Sequence, residues 1–267
     1  MNYQELIKPL VALARAAGDR ILEVYATDFS VQSKNDESPL TLADLAAHRT
    51  IVPGLRELAP DIPIISEEGG LPPFAERGKW HRYWLIDPLD GTKEFVNRNG
   101  EFTVNIALVV NGRPVLGVVH VPVQHTTYTG CEGHGADKRI GDGRPEKIHV
   151  AAKASLPPRV VGSRSHRGAS LDAFLERLGA FDIMPMGSSL KFCVVAEGGA
   201  DVYPRLGPTS EWDTAAAQAV VEQAGGRVVT VDGTALAYNR KEDILNPWFV
   251  VIGARDRDWL ALLPDRE

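Results

Sequence analysis

The residues best suited to chemistry in this chain are acidic and stand at a few separated places. In Asp87-Pro88-Leu89-Asp90 a proline fixes the backbone between two aspartates, so both carboxylates and the Leu89 carbonyl can face one centre. Glu67 and Glu68 follow the apolar run Ile62–Ser66, and Asp213 precedes the helical pattern TAAAQAVV. Carboxylates and carbonyls are hard oxygen donors, which select Mg²⁺ or Mn²⁺ over softer metals and leave positions for water and phosphate. If Glu67, Asp87, Asp90 and Asp213 meet in the fold, bound cations relieve their mutual repulsion and create a positive field. Gly91 and Thr92 follow directly. If Gly-Thr-Lys-Glu-Phe opens a helical turn, their N–H groups face a phosphate beside the metals, and the missing Cβ of Gly91 permits close approach. Each signal alone is weak: a DxxD is commonly a solvated turn, paired glutamates are commonly surface charge, and Asp213 suits a helix N-cap. Their joint occurrence points to a metal-assisted phosphoryl site.

Those side chains need elements that end in the right places. From Leu6 to Tyr25 apolar residues recur at helical intervals (Leu6, Leu10, Leu13, Ala14, Ala17, Ile21), which predicts an amphipathic helix with its apolar face in the core. The polar, turn-rich VQSKNDESPL leads into a second helix from Thr41 to Leu58, with Ser38 or Thr41 as its cap and Asp36 and Asp44 flanking the junction. Strands are expected at Ile62–Ser66, Tyr83–Ile86, Thr103–Val110 and Val115–Val123, the last two joined by an Asn111-Gly112 hairpin turn. The Gly-rich, charged stretch 130–146 reads as an exposed hairpin or loop. Beyond Val150 short strands and helices alternate. This places a subdomain boundary near 150–158, between an α+β unit, 1–152, that carries the metal site and an α/β unit, 153–267, that completes the substrate site.

Composition narrows the class. A chain of 267 residues with 44% hydrophobic and 24% charged residues is ordinary for a compact globular protein of two subdomains. Cys131 and Cys193 are far apart and form no CxxC pair, which argues against a disulfide framework or a cysteine-rich zinc site and fits a reducing compartment. A net charge of −6 disfavours binding to a nucleic-acid polymer, so an acidic protein that handles a phosphorylated ligand needs local positive charge, for which metal ions are the candidate. The N-terminus lacks the apolar core of a secretory signal, and no stretch reaches the roughly 18 apolar residues of a membrane span. A cytoplasmic place is expected, with peripheral association at the inner membrane face as the variant.

The segments ISEEGG, WLIDPLDGTKEF, GEFTVNIALV and EWDTAAAQAVVEQAGG together resemble the inositol monophosphatase superfamily of lithium-sensitive, magnesium-dependent phosphatases, over about residues 5–253. Lys93-Glu94-Phe95 after the Asp-Gly-Thr, Ser163–His166, GSSLKF and LNPWF are similar to its CysQ-type 3′(2′),5′-bisphosphate nucleotidase subgroup. The resemblance implies a layered αβαβα sandwich of mixed α and β structure, with an α+β N-terminal half and an α/β C-terminal half. It implies metal ligation by Glu67, Asp87, the Leu89 carbonyl, Asp90 and Asp213. These ligands, Asp87 excepted, also contact the substrate, whose phosphate is held by Gly91 and Thr92. The implied cofactor is Mg²⁺, two or three ions per site, with Mn²⁺ as a substitute and Li⁺ inhibitory. The implied partner is a small nucleotide bisphosphate, adenosine 3′,5′-bisphosphate, hydrolysed to AMP and phosphate in sulfur metabolism.

In the mechanism so implied, Glu67 and Thr92 orient the attacking water and Asp36 assists through a further metal. Lys191 in GSSLKF is the candidate for the second phosphate, the Ser-Ser hydroxyls and amides adding donors, against the plainer reading of a solvated helix lysine. Ser163, Arg164 and His166 are weaker candidates of the same kind, and His166 doubles as a general acid or a surface residue. Trp80, Trp84, Trp212 and Trp248 offer either an adenine face or, more in keeping with their type, core packing. Competing readings are a sibling activity on inositol monophosphate or fructose 1,6-bisphosphate, and a non-catalytic sensor, for which Thr92 beside the water has no use. A homodimer is left open.

Overall fold

The computed structural model describes residues 2–27, 39–163 and 168–264. Helix α1 (Tyr3–Tyr25) begins where the Asn2 side chain accepts the Gln4 N–H at 3.1 Å and buries Leu6, Leu10, Ala14, Ala17 and Ile21, the face its 3.6-residue periodicity dictates. Helix α2 (Pro39–Leu58) opens on a proline, which suits a first turn whose N–H has no helical partner. The two pack against one face of a seven-stranded sheet with strands in sequence order: β1 (Ile64–Ser66), β2 (Arg82–Asp90), β3 (Thr103–Val110), β4 (Arg113–Val121), β5 (Thr126–Cys131), β6 (Gly135–Ile140) and β7 (Glu146–Ile148). Only β1 and β2 run parallel. Short helices α3 (Phe74–Arg77) and α4 (Thr92–Val96) flank β2.

A second sheet, of order β11-β12-β10-β8-β9, is built from β8 (Arg159–Ser163), β9 (Asp182–Met186), β10 (Val202–Arg205), β11 (Arg227–Thr230) and β12 (Phe249–Ile252). Between the sheets lie α6 (Leu190–Ala196), buried throughout, and α7 (Ala215–Gln223), buried from Ala215 to Val221; α5 (Ala169–Leu178) covers the outer face of the second sheet with Trp259. The layers therefore run α, β, α, β, α, the expected sandwich. Strand alternation shows why the first sheet is apolar on both faces. Trp84, Ile86, Val104 and Ile106 face α1 and α2, whereas Tyr83, Leu85, Ala107 and Val109 face the central helices.

The close seat of α7 depends on two glycines. A Cβ on Gly117 would stand 2.1 Å from the Ala216 carbonyl oxygen, and one on Gly130 2.5 Å from that of Ala219. Here glycine marks a backbone contact and not a turn. The stretch 130–146 forms a hairpin, one of its two expected forms, β5 pairing antiparallel with β6, but it is less exposed than expected, with Cys131 and Ala136 buried. Asn111 and Gly112 do form the hairpin turn, both at positive φ (51° and 76°). β4 begins and ends two residues earlier than predicted, β1 is shorter, and β2 continues beyond Ile86 to Asp90.

Candidate active site

The extension of β2 is what gathers the acidic groups. In an unbroken strand, residues three apart point to opposite faces. The register of β2 on β3 shifts between Asp87, opposite Asn105, and Asp90, opposite Thr103. Leu89 consequently buries its side chain among the α1/α2 core residues, while Asp87 and Asp90 both turn toward the central helices. Leu89 N–H donates to Asp87 Oδ1 at 3.0 Å, closing the turn around Pro88. Parallel pairing sets Ser66 beside Ile86, so Glu67 emerges next to Asp87 and shares a hydrogen bond with it. His48 of α2 bonds Ser66 at 2.9 Å and secures that turn.

The fourth carboxylate comes from the other sheet's side of the molecule. Thr214 holds the N-cap position of α7, and Asp213 instead accepts the Thr209 hydroxyl at 2.6 Å and the Ser210 N–H at 3.0 Å through Oδ2. Ser189 links the two groups: its N–H donates to Asp90 Oδ2 at 2.6 Å, and its Oγ lies 2.7 Å from that oxygen and 2.5 Å from the Asp213 carbonyl. The Ser-Ser donors expected to face a second phosphate are thus, in Ser189, committed to these groups. Glu67, Asp87, Asp90 and Asp213 line one cavity of about 300 Å³, together with Gly91, Thr92, Lys191 and Arg205. The Gly-Thr-Lys-Glu-Phe segment does open a helical turn, with Gly91 at φ 104° and a built Cβ 3.2 Å from both Phe102 and Ser188, so no other residue fits there without strain.

Electrostatics of the cavity follow from burial of like charges. Asp87 is pushed well above the ordinary carboxylate range by loss of water, then by Asp90, Glu67 and Asp213. Asp213 rises to about 7 by burial and by Asp90, against the Thr209 and Ser210 hydrogen bonds that lower it. Asp44 of α2 rises to about 8 by burial and by Glu68 and Glu67. The same cavity holds Lys191, 7% exposed, with Nζ 5.7 Å from the centre of the Tyr203 ring. Burial lowers its ammonium to about 8, and the neighbouring Asp90 limits the fall. It is not the solvated helix lysine of the plainer reading.

With this geometry in place, comparison with known proteins is decisive. The profile described as "Inositol monophosphatase family" matches residues 2–260. The chain is 50% identical over 248 residues to the 3'(2'),5'-bisphosphate nucleotidase CysQ of Escherichia coli O157:H7, spanning 92% of this chain and 99% of that protein. This chain belongs to the inositol monophosphatase family. Among solved structures of that family, CysQ from Bacteroides thetaiotaomicron superposes with a TM-score of 0.86 at 42% identity, covering 96% and 99% of the two chains. An inositol monophosphatase from Anabaena (Nostoc) sp. PCC 7120 gives 0.78 at 25% identity, covering 99% and 98%. The chain is accordingly a phosphatase of the inositol monophosphatase family, as its motifs imply.

For a phosphatase of this family the donor set is chemically apt for a hard divalent cation: four carboxylates and the Leu89 segment, all oxygen, around a buried Asp87. Among the described residues no three His, Cys, Asp or Glu side chains stand ready-made as a metal cage. Asp36, Arg164 and His166 fall outside the described residues, and Ser163 is seen only as the last residue of β8. The sequence reading missed two groups. Asp44 enters the field of the cluster, which its place one helical turn into α2, facing inward, could have signalled. Arg205 lines the cavity with a buried Nε that has no hydrogen-bond partner; no local pattern marks it. No tryptophan lines the cavity, whose aromatic side is Phe192, Tyr203 and Phe249; Trp84 and Trp259 are core.

Proposed function

We propose that this phosphatase removes the 3′-phosphate of adenosine 3′,5′-bisphosphate, releasing AMP and inorganic phosphate, with Mg²⁺ as its metal. One observation carries the reading: a single cavity combines the carboxylates Glu67, Asp87, Asp90 and Asp213 with the cations Lys93, Lys191 and Arg205, which suits a ligand that bears more than one phosphate. The name borne by the relative at 50% identity supports it. In this reading Glu67, Asp87, the Leu89 carbonyl, Asp90 and Asp213 hold two or three Mg²⁺, which Mn²⁺ replaces and Li⁺ inhibits. A cation held there supplies charge to the phosphoryl oxygens and acidifies the attacking water.

The chain's own groups do the rest. Water attacks phosphorus in line as the bond to the ribose 3′-oxygen breaks. Glu67 accepts the water's proton, the Thr92 hydroxyl orients the water, and the leaving oxygen takes a proton from solvent. Gly91 and Thr92 hold the phosphoryl group, while Asp36 assists and Ser163 adds a donor. Lys191 and Arg205 take the 5′-phosphate, and Phe192, Tyr203 and Phe249 form the nucleoside side. In this reading residues 1–152 form the unit that carries the metal site apart from Asp213, and 153–267 the unit that adds Asp213 and completes the substrate site, in a cytoplasmic enzyme of sulfur metabolism. The sulfated nucleotide analogue fits the same two places.

Inositol 1-phosphate offers Lys191 and Arg205 no second phosphate, and losing charge-assisted hydrogen bonds costs about 1.5–3 kcal/mol each. Parallel phosphate-release assays on adenosine 3′,5′-bisphosphate, inositol 1-phosphate and fructose 1,6-bisphosphate are expected to give kcat/KM at least about tenfold higher for the nucleotide. Equal or reversed preference overturns the assignment.

A further inference from the structure

A second cavity, of about 380 Å³, opens at the opposite end of β2 from the carboxylates, roughly 20 Å away along the strand. Its volume lies within the range of small-molecule sites. The side chains that decide its chemistry are Lys79, Trp80, His81, Tyr83 and Arg240, and among the described residues no carboxylate lines it, although the protein carries a net charge of −6. Arg240 is held in place: its Nη2 donates to the Asn111 carbonyl at 2.5 Å, and a Cβ on Gly112 would stand 2.6 Å from its Nε, so the guanidinium lies directly on the hairpin turn.

Tyr83 supplies the second observation. It is 1% exposed, and its hydroxyl has no hydrogen-bond partner, whereas the neighbouring Tyr238 hydroxyl donates to Gln218 at 2.6 Å. Buried hydroxyls are nearly always paired, and Tyr83 is one of the residues that line this cavity. Half-buried Trp80, its ring centre 6.4 Å from that of Tyr83, offers a flat apolar surface beside the cations. The nearest buried carboxylate, Glu211, is taken up by the Asn239 N–H at 2.8 Å.

We propose that this cavity binds a small organic anion with a planar ring, of the nucleoside monophosphate class. The ring lies against Trp80, the anionic group meets Lys79 and Arg240, and a ligand acceptor receives the Tyr83 hydroxyl. The test is an NMR titration of the full-length protein with AMP, following the Trp80 indole N–H, which is assigned with Trp80→Phe. Since no tryptophan lines the active cavity, AMP bound there as product leaves this signal in place. A saturable shift is expected at millimolar AMP. It weakens about tenfold or more in Lys79→Gln/Arg240→Gln and in Tyr83→Phe, while turnover at the distant site is unchanged. The absence of a saturable shift, or equal affinity in the double variant, overturns the proposal. An equal response to inorganic phosphate removes the ring from it, and an equal response to adenosine removes the anion; either result overturns the assigned class.

Discussion

One oxygen of Asp90 and one of Asp213 are already held by protein donors, which leaves each carboxylate an oxygen to offer a cation in a fixed direction. Asp90→Asn keeps the Ser189 bond through its amide oxygen and removes the charge. Its kcat is expected to fall by two orders of magnitude or more, because charge stabilisation at a phosphoryl centre is worth several kcal/mol; near-normal turnover by a folded variant refutes the site. Lys191 acts on a different quantity. It is buried among Asp90, Glu94 and Tyr203, and its nearest hydrogen-bond acceptor, the Met186 carbonyl, is 3.5 Å away. Lys191→Met is expected to raise KM for a bisphosphate about 10- to 100-fold and to leave KM for a simple monoester nearly unchanged. Comparing steady-state kinetics on both substrates checks this, and an equal loss on both counts against a second-phosphate role.

Elements set the distances that those residues need. The parallel β1/β2 pair brings Glu67 beside Asp87, the shift in β2 turns Asp90 inward, and α7 carries Asp213 across from the second sheet's side. The seat of α7 on β4 and β5 is controlled by Gly117 and Gly130, whose absent Cβ atoms leave room for helix backbone. Backbone cannot move aside as a side chain tip does, so Gly117→Ala is expected to cost about 1–3 kcal/mol or more and to lower kcat through displacement of Asp213. Thermal denaturation and steady-state assays of one preparation read both effects. A variant with unchanged Tm and kcat shows that the helix has slack.

For the whole molecule the cluster is a stability term that depends on pH and metal. Asp213 and Asp44 have folded pKa values near 7 and 8, above the roughly 3.9 of an unfolded aspartate. Between those limits the native state holds protons that the unfolded chain has lost, so these groups make the metal-free protein less stable as pH rises from about 4 to about 8. Divalent cations replace the protons, and their binding to the native state raises Tm. The increment in Tm from saturating Mg²⁺ is therefore expected to be larger at pH 8 than at pH 5, by differential scanning fluorimetry; equal increments at both pH values contradict a carboxylate metal site. The same two-sided construction explains why the cavity lies where β2, α4, α6 and α7 meet: each supplies backbone ends, where charge can be exposed to a ligand without being buried inside an element.

Much of this was legible in the linear chain. Hydrophobic periodicity located α1, α2 and β3, the Asn111-Gly112 pair located a hairpin, and Asp87-Pro88-Leu89-Asp90 with Glu67 and Asp213 identified the acidic set and its family, because those signals are carried by neighbours in sequence. Other features depend on contacts between distant segments and have no local signature. Gly130 reads as part of an exposed hairpin or loop until Ala219 is seen above it, and Lys191, a phosphate candidate that reads equally as a solvated helix lysine, is distinguished only when Tyr203 and Asp90 surround it. Arg205, Asp44 and the cationic cavity around Tyr83 emerge in the same way. Side-chain type and spacing determine which chemistry is available; burial, register and the packing of one sheet's helices on another determine which of those groups share a space.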